Sequence, residues 1–403
     1  MRNNNPFLLA LHCIGALLFL PFWYLQRLMP RNKRVWLFGS WFGQKYSDNS
    51  RGMYEYVLAH EPQIRPMWIT HSEDVYARLH AEGKPVAMAH SWRGRWWCLR
   101  AGVVFITTAA AEMNAKYLNG AHMVWLWHGM VIKQIMADEV RFKKQRYSTF
   151  KRIKVAINNF LFPWENDVRK DAVLSTADFF NPFLASAFEV DDTALWTDGY
   201  PRNDALFATT QEDIIRRYRQ QFPTAKFIIY MPTHRLNERK GTPFNGFDGF
   251  GFNQEAFFKV LEEQDYVFFN KGHFYDSGAK IGMSNPRFLN VTDNDFDNLY
   301  TFVKDMDILM TDFSSIYIDY LLMKRPVILA PFDYEEYITG ERPLYFDYND
   351  LEGARANNWD EVLHILRECT YSEPSDAQIS RFHRYVDGNS AQRISERIIK
   401  NIK

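Results

Sequence analysis

A chain of 403 residues in which 48 lysines and arginines balance 48 aspartates and glutamates has no overall field to attract nucleic acid, so any basic surface must be local. Its 47% hydrophobic and 16% aromatic content excludes wholesale disorder, and its length suits two domains plus an appendage. The three cysteines, Cys13, Cys98 and Cys369, lie far apart, fit neither a disulfide framework nor a zinc site, and point to a reducing compartment.

The first element is apolar. Phe7 to Leu25, "FLLALHCIGALLFLPFWYL", is apolar except for His12. As a helix it would measure about 28 Å, close to the ~30 Å hydrocarbon thickness of a bilayer. A cleaved signal peptide, a buried core helix and a membrane anchor all fit that pattern. Pro21 and the Trp23–Tyr24 pair suit an interfacial segment, and the basic residues Arg27, Arg31, Lys33 and Arg34 would hold the rest of the chain on the cytoplasmic side.

Strands and helices then alternate. "RVWLFGS" reads as a strand entering a Gly39–Ser40 turn, "SRGMYEYVLAHE" as a helix, "RPMWIT" as a strand, and "SEDVYARLHAEG" as a helix ended by Gly83. "PVAMAH", "AGVVFITTAA" and "AHMVWLWHGM" continue the strand series. Short, strongly apolar strands between helices predict a buried, mostly parallel sheet. The rhythm breaks between about residues 133 and 171. There "RFKKQRYSTFKRIK" mixes seven basic residues with Phe142, Tyr147, Phe150 and Ile153. A solvated helix face is one reading; the other is an interfacial helix in which Arg141, Lys143, Lys144, Lys151 and Lys154 grip anionic headgroups. After a Gly-Tyr-Pro hinge at 199–201, a second series contains "KFIIYMPTHR", "YVFFNKGHF", "RFLNVTD", "DILMTDFSS" and "RPVILAPFD" as strands. The predicted architecture is α/β: two Rossmann-like domains facing each other across a cleft. The divisions fall at 1–30 for the apolar helix, 31–200 for the first domain and 201–403 for the second.

Several strands end in polar knots. "VWLWHGM" runs from an apolar strand straight into His128 and Gly129, which is either a local cap or the start of a site at a strand's carboxyl end. "FFNKGHF" does the same with Asn270, Lys271 and His273, and "YMPTHR" with Thr233, His234 and Arg235. Arg235 could clamp a phosphate or form a surface ion pair. In "DILMTDFSSIYIDYLLM" the residues Thr311, Asp312, Ser314 and Ser315 open an apolar helix. They serve either as caps or as a phosphate site at the positive end of a helix. Asp293, Asp295 and Asp297 alternate just ahead of another apolar helix, where capping is the preferred reading over metal ligation. Neither a Walker lysine loop nor a G-x-G-x-x-G fingerprint is present.

Taken in order, "LFGSWFGQKYSDNSRGMYEYV", "LWHGMVIKQI", "GYPRND", "YMPTHR", "NKGHF" and "ILMTDFSSIYIDYLLMKRPVILAPFDYEEY" resemble the successive motifs of the CDP-glycerol glycerophosphotransferase family, which includes teichoic-acid primases, polymerases and related capsule polymerases. The resemblance implies a GT-B fold and attachment to the inner face of the cytoplasmic membrane, peripheral or through one amino-terminal anchor. It also implies transfer of a polyol phosphate from CDP-glycerol or CDP-ribitol to a lipid-linked or polymeric glycan acceptor. By position, His128 matches the catalytic base and His273 a second histidine at the donor phosphates. Thr311, Ser314 and Ser315 match the pyrophosphate-binding helix start with Asp312 among them, Arg235 and Lys271 stand beside it, and Gly39, Ser40 and Gly129 fall on the acceptor side. No cofactor and no tightly bound metal are expected. Two departures stand out: Phe274 follows His273 where the family commonly has proline, and His234 precedes Arg235 where an aromatic residue is commoner. A nucleotide-sugar transferase of the same fold and a non-catalytic membrane scaffold are the alternatives.

Overall fold

The computed structural model describes residues 6–401 except 145–147, 167–168, 234–235, 238–241, 273–283 and 341–342. In the first half, β1 (Asn32–Phe38), β2 (Arg65–Thr70), β3 (Val86–Met88), β4 (Ala101–Ile106), β5 (His122–Trp125), β6 (Ala172–Leu174) and β7 (Leu195–Trp196) form one sheet. Its order is β3-β2-β1-β4-β5-β6-β7 and every pairing is parallel. The reason is legible in β4, whose "AGVVFI" is buried along its whole length: a strand covered on both faces needs apolar residues at every position, not every second one.

The second half repeats the plan. It comprises β8 (Lys226–Met231), a short antiparallel hairpin of β9 (Leu236–Asn237) and β10 (Thr242–Pro243), then β11 (Tyr266–Asn270), β12 (Phe288–Asn290), β13 (Ile308–Thr311), β14 (Val327–Leu329) and β15 (Ala354–Arg355). The main sheet runs β12-β11-β8-β13-β14-β15, again all parallel. Along β8 the side chains divide by turns. Phe227 and Ile229 join the core shared with the first half, while Ile228 and Tyr230 enter a separate aromatic core with Phe257, Phe268 and Trp359. Each sheet reverses its strand order beside its own first strand, at β1/β4 and at β8/β13, and such reversals open a crevice at the strands' carboxyl ends.

The last helix, Ser390–Asn401, returns to the first half, which a contiguous second domain of 201–403 does not anticipate. Ala391, Ile394 and Ile398 bury into the shared core. The Ser395 hydroxyl donates to Glu61 at 2.6 Å, and Arg397 pairs with both oxygens of Asp198 at 2.6 and 2.7 Å. The Asp204 carboxylate, just past the hinge, accepts the backbone N–H groups of Ser390 and Ala391 at 2.9 and 2.8 Å, meeting the positive end of that helix.

The apolar amino-terminal segment is one helix, Pro6–Leu25, with Pro21 inside it. Ala16, Leu20 and Trp23 pack on Phe162 and Trp164 of the 133–171 insertion, and His12 stacks on Phe162. Leu11, Ile14, Leu18 and Leu25 stay exposed. Among the described residues, Ala10–Leu28 is the one helical stretch long and apolar enough to cross a membrane. The insertion supplies a second exposed apolar stripe: Phe150, Ile153, Ile157 and Phe160 lie along one side of helix Thr149–Leu161, flanked by exposed Lys151 and Lys154. Arg141, expected among the headgroup-gripping residues, stays about half exposed, and its guanidinium also donates to Asp138, Ser186 and Glu189 at 2.6 to 3.0 Å, which fastens the insertion to the protein. The side chains of Lys143 and Lys144 lie outside the described residues.

Candidate active site

Polar side chains from both halves line a cleft of about 2090 Å³. His128 reaches it because of a backbone device. After β5, Trp127 takes a left-handed φ of 57°, which costs a bulky residue energy and turns the chain abruptly. The imidazole Nδ1 then lies 3.1 Å from the carbonyl oxygen of Thr107, at the end of the adjacent β4. A carbonyl can only accept, so Nδ1 carries the proton and Nε2 keeps its lone pair. The Trp127 and Trp41 rings flank the imidazole at centroid distances of 4.1 and 5.4 Å. Burial draws its pKa below the ordinary 6.5; Asp48 opposes the shift, and Arg202 and Lys133 reinforce it. His128 is therefore a neutral imidazole at pH 7, with a free nitrogen to accept a proton.

Beneath the histidine sits a residue that sequence reasoning missed. Glu112 is fully buried. Its carboxylate accepts the N–H groups of Thr107 and Thr108 at 2.9 and 2.6 Å, and both threonine hydroxyls donate to it as well. Burial pushes its pKa up to about 7 although these four donors favour the charged form. Those hydroxyls in turn accept from the N–H groups of Trp41 and Phe42 at 3.4 Å. One carboxylate thus orients both the carbonyl that holds His128 and the wall beside it. Gly39 and Ser40, expected on the acceptor side, are buried behind this layer. A Cβ on Gly39 would come within 3.2 Å of Glu112 and Met113, and Ser40 is 0% exposed. The turn at Trp41–Gly43, with φ of 48° and 55° at Trp41 and Phe42, sends Trp41 into the cleft in their place.

From the second half, Ser314 and Ser315 line the cleft at the start of helix Ile316–Tyr320, and Ser315 makes no capping hydrogen bond. A Cβ added to Gly129 would stand 2.4 Å from Ser315 Oγ, so the residue after His128 touches this helix start directly. Thr311 and Asp312 are corrected from contact residues to supports, since both are fully buried. The Thr311 hydroxyl donates to the Met231 carbonyl at 2.7 Å. Asp312 accepts from the N–H and hydroxyl of Thr233, both at 2.7 Å, and holds the loop after β8. Lys271 lies in the cleft, 2.9 Å from Asp293, which also takes Lys45 of the first half at 2.5 Å. Arg235 and His273 lie outside the described residues. The described residues that precede them, Thr233 and Gly272, both line the cleft.

Arg202, next to the Gly-Tyr-Pro hinge at 199–201 and inside the motif "GYPRND", joins the halves, a role its sequence position does not announce. Its Nη1 donates to Asp48 at 2.9 Å and to the His128 carbonyl at 2.7 Å, and its Nη2 to Asp319 at 2.6 Å. Asp319 also accepts from Asn203 and the Tyr300 hydroxyl, each at 2.9 Å. Although burial works against the cation, Asp319, Tyr300 and Asp48 push the guanidinium pKa well above its usual value.

The aspartate run differs from its expected capping role. Asn298, not an aspartate, caps helix Leu299–Val303 through the Tyr300 N–H at 2.9 Å. Asp297 pairs with Arg51 and Arg78 of the first half, and Asp293 with Lys45, so the run ties the two halves together. Only Asp295 acts locally, accepting from Thr292. Among the described residues, no group of three or more His, Cys, Asp or Glu side chains could hold a metal ion.

The fold is shared with solved proteins. A variant of the wall teichoic acid polymerase TagF aligns with a TM-score of 0.72 at 22% identity, covering 99% of this chain and 98% of that one. An UDP-N-acetylglucosamine 2-epimerase from Listeria monocytogenes, itself described as putative, aligns with a TM-score of 0.53 at 13% identity, over 92% and 96% of the two chains. In sequence, the chain is 27% identical over 386 residues to a teichoic acid glycerol-phosphate transferase of Staphylococcus aureus, covering 92% of this chain and 94% of that protein. It is 25% identical over 388 residues to a teichoic acid poly(glycerol phosphate) polymerase of Staphylococcus epidermidis, covering 91% of this chain but spanning only 50% of the polymerase. Residues 22–400 match the family described as CDP-Glycerol:Poly(glycerophosphate) glycerophosphotransferase. Two parallel sheets of the TagF type give the chain the same fold, and with nearly its whole length matched it belongs to that CDP-glycerol:poly(glycerophosphate) glycerophosphotransferase family.

Proposed function

We propose that this chain transfers a glycerol phosphate unit from CDP-glycerol to a hydroxyl of a lipid-linked or growing teichoic-acid-like polymer and releases CMP. The observation that carries the reading is the free Nε2 of His128, one residue from the contact between Gly129 and Ser315. An acceptor hydroxyl in the cleft gives its proton to Nε2 as its oxygen attacks the donor's β-phosphorus. A new P–O bond forms, the bond to the CMP oxygen breaks, and CMP leaves with that electron pair. The Ser314 and Ser315 hydroxyls, Lys271, Arg235 and His273 meet the charge that gathers on the phosphates, with no tightly bound metal. The exposed faces of helices Pro6–Leu25 and Thr149–Leu161 hold the cleft at the inner face of the membrane, where a lipid-linked acceptor is presented.

A donor screen with CDP-glycerol, CDP-ribitol and nucleotide sugars tests the reading by CMP release, followed by sizing of the product. Release of CMP from CDP-glycerol with chain growth supports it. Turnover of a nucleotide sugar alone would make the chain a glycosyltransferase of the same fold, and no turnover with any donor would make it a scaffold.

A further inference from the structure

Among the described residues, an exposed aromatic pair of the first half lies outside both elements that the sequence marks as membrane-facing. On helix Trp92–Arg100, Trp92 is 84% exposed and Trp96 60% exposed, one turn apart and therefore on one side. Indoles are among the most costly side chains to leave in water, and each offers roughly 150–250 Å² for burial. The helix contains no acidic residue. Arg95 stacks over the Trp92 ring at 5.4 Å and Arg100 over the Trp96 ring at 5.9 Å, so the aromatic face carries a cationic fringe.

The opposite side is rigidly seated. Cys98 is fully buried, and a Cβ on Gly94 would stand 2.1 Å from the Met88 carbonyl oxygen, so this helix cannot roll to hide its tryptophans. Its carboxyl end is tied to the residues that leave the amino-terminal helix: Arg31 donates to the Cys98 carbonyl at 2.6 Å, and Arg100 to the Pro30 carbonyl at 3.1 Å. The two tryptophans are thereby held at a fixed offset from the end of the apolar helix, where a bilayer's headgroup layer begins if that helix is membrane-embedded. Tryptophan favours this layer because one end of the indole is apolar and the other donates a hydrogen bond, while arginine favours anionic headgroups.

We propose that the Trp92–Trp96 face is an interfacial anchor that seats both indoles among the headgroups of an anionic bilayer and sets the height of the cleft above it. The proposal rests on the membrane reading of helix Pro6–Leu25 and adds a third, rigid point of contact. The test uses the full chain with phosphatidylglycerol/phosphatidylcholine vesicles and with phosphatidylcholine vesicles alone, comparing wild type, Trp92→Ala/Trp96→Ala and Ile153→Asp/Ile157→Asp. The expected result is binding of wild type to anionic vesicles, weakened on the order of tenfold or more by the tryptophan pair. Quenching of indole fluorescence by bromine-labelled lipid chains should fall in the same variant. Both sites are exposed, so the far-ultraviolet circular dichroism should not change.

Unchanged vesicle binding by the tryptophan pair, with binding lost in the isoleucine pair, overturns this anchor and leaves the membrane reading intact. Failure of wild type to bind either vesicle overturns both. A wild-type dimer in solution that Trp92→Ala/Trp96→Ala converts to monomer, without effect on vesicles, reassigns the face to a second copy of the chain and also overturns the proposal.

Discussion

Gly129 and Ser315 meet across the cleft with no room between them for a methyl group: a Cβ on the glycine would lie 2.4 Å from the serine Oγ and 3.2 Å from its Cβ. The contact sets the distance between the base side of the site and the donor side. Gly129→Ala forces the halves apart or swings Ser315 away, and displacements of about 1 Å at a reacting centre cost on the order of 10²-fold in rate. The expected outcome is a kcat lower by roughly that factor in the CMP-release assay. Ser315→Ala should lower kcat in the wild-type background, because its hydroxyl meets phosphate charge, but should cost less in Gly129→Ala, where the closest atom is then gone. Additive losses in the double variant would show that the two residues act independently.

A base works only when unprotonated. Burial depresses the pKa of His128, so kcat/KM should be flat around neutrality and fall as the pH drops through a value below 6.5. His128→Ala should remove about 10²–10⁴-fold of the rate while binding of CDP-glycerol, followed by calorimetry, persists. An acid limb that survives unchanged in a slowly active His128→Ala enzyme would assign it to another group.

Glu112 offers a test of how the base is held. In Glu112→Gln the amide NH₂ group replaces one acceptor oxygen and faces the threonine donors, leaving buried N–H or O–H groups unsatisfied at about 1–3 kcal/mol each. The thermal midpoint should fall. The kcat should fall with it while the donor KM changes little, because the Thr107 carbonyl no longer fixes the imidazole. A loss of stability with wild-type kcat would confine Glu112 to the fold.

The contrast between His128 and Glu112 shows what the sequence carries. β4 and β5 were readable because their apolar runs are continuous, and His128 because a glycine follows it at the end of such a run. Ser314 and Ser315 were readable because hydroxyls ahead of an apolar helix mark its start. Glu112 belongs to no periodic segment, and its role depends on a carbonyl whose partner lies 21 residues further on. Asp297 has the pattern of a local cap because its actual partners, Arg51 and Arg78, are 246 and 219 residues away. Gly39 and Ser40 sit at the end of β1, as expected of site residues, but two successive left-handed residues carry the chain past them. Local pattern locates the ends of strands. It does not say which side chain the following turn presents.

Arg202 makes the sharpest stability prediction, since it stands between two carboxylates that are 6% and 1% exposed, Asp48 from the first half and Asp319 from the second. Removing one partner of a buried ionic group is more damaging than the group's net contribution, because the remaining charges keep their desolvation cost. Arg202→Ala should therefore lose about 3–5 kcal/mol and express poorly. Arg202→Lys keeps the charge but not the fork, and a single ammonium cannot reach Asp48, the His128 carbonyl and Asp319 together. It should recover less than half of the stability lost in Arg202→Ala. It should also raise the donor KM, because the halves are no longer pinned on either side of His128. Asp48→Asn/Asp319→Asn combined with Arg202→Met removes all three charges at once, and should unfold at a higher temperature than Arg202→Ala while remaining inactive. If Arg202→Ala proved as stable as wild type, the cation would not be the tie between the two halves, and the placement of the base against the donor side would need another cause.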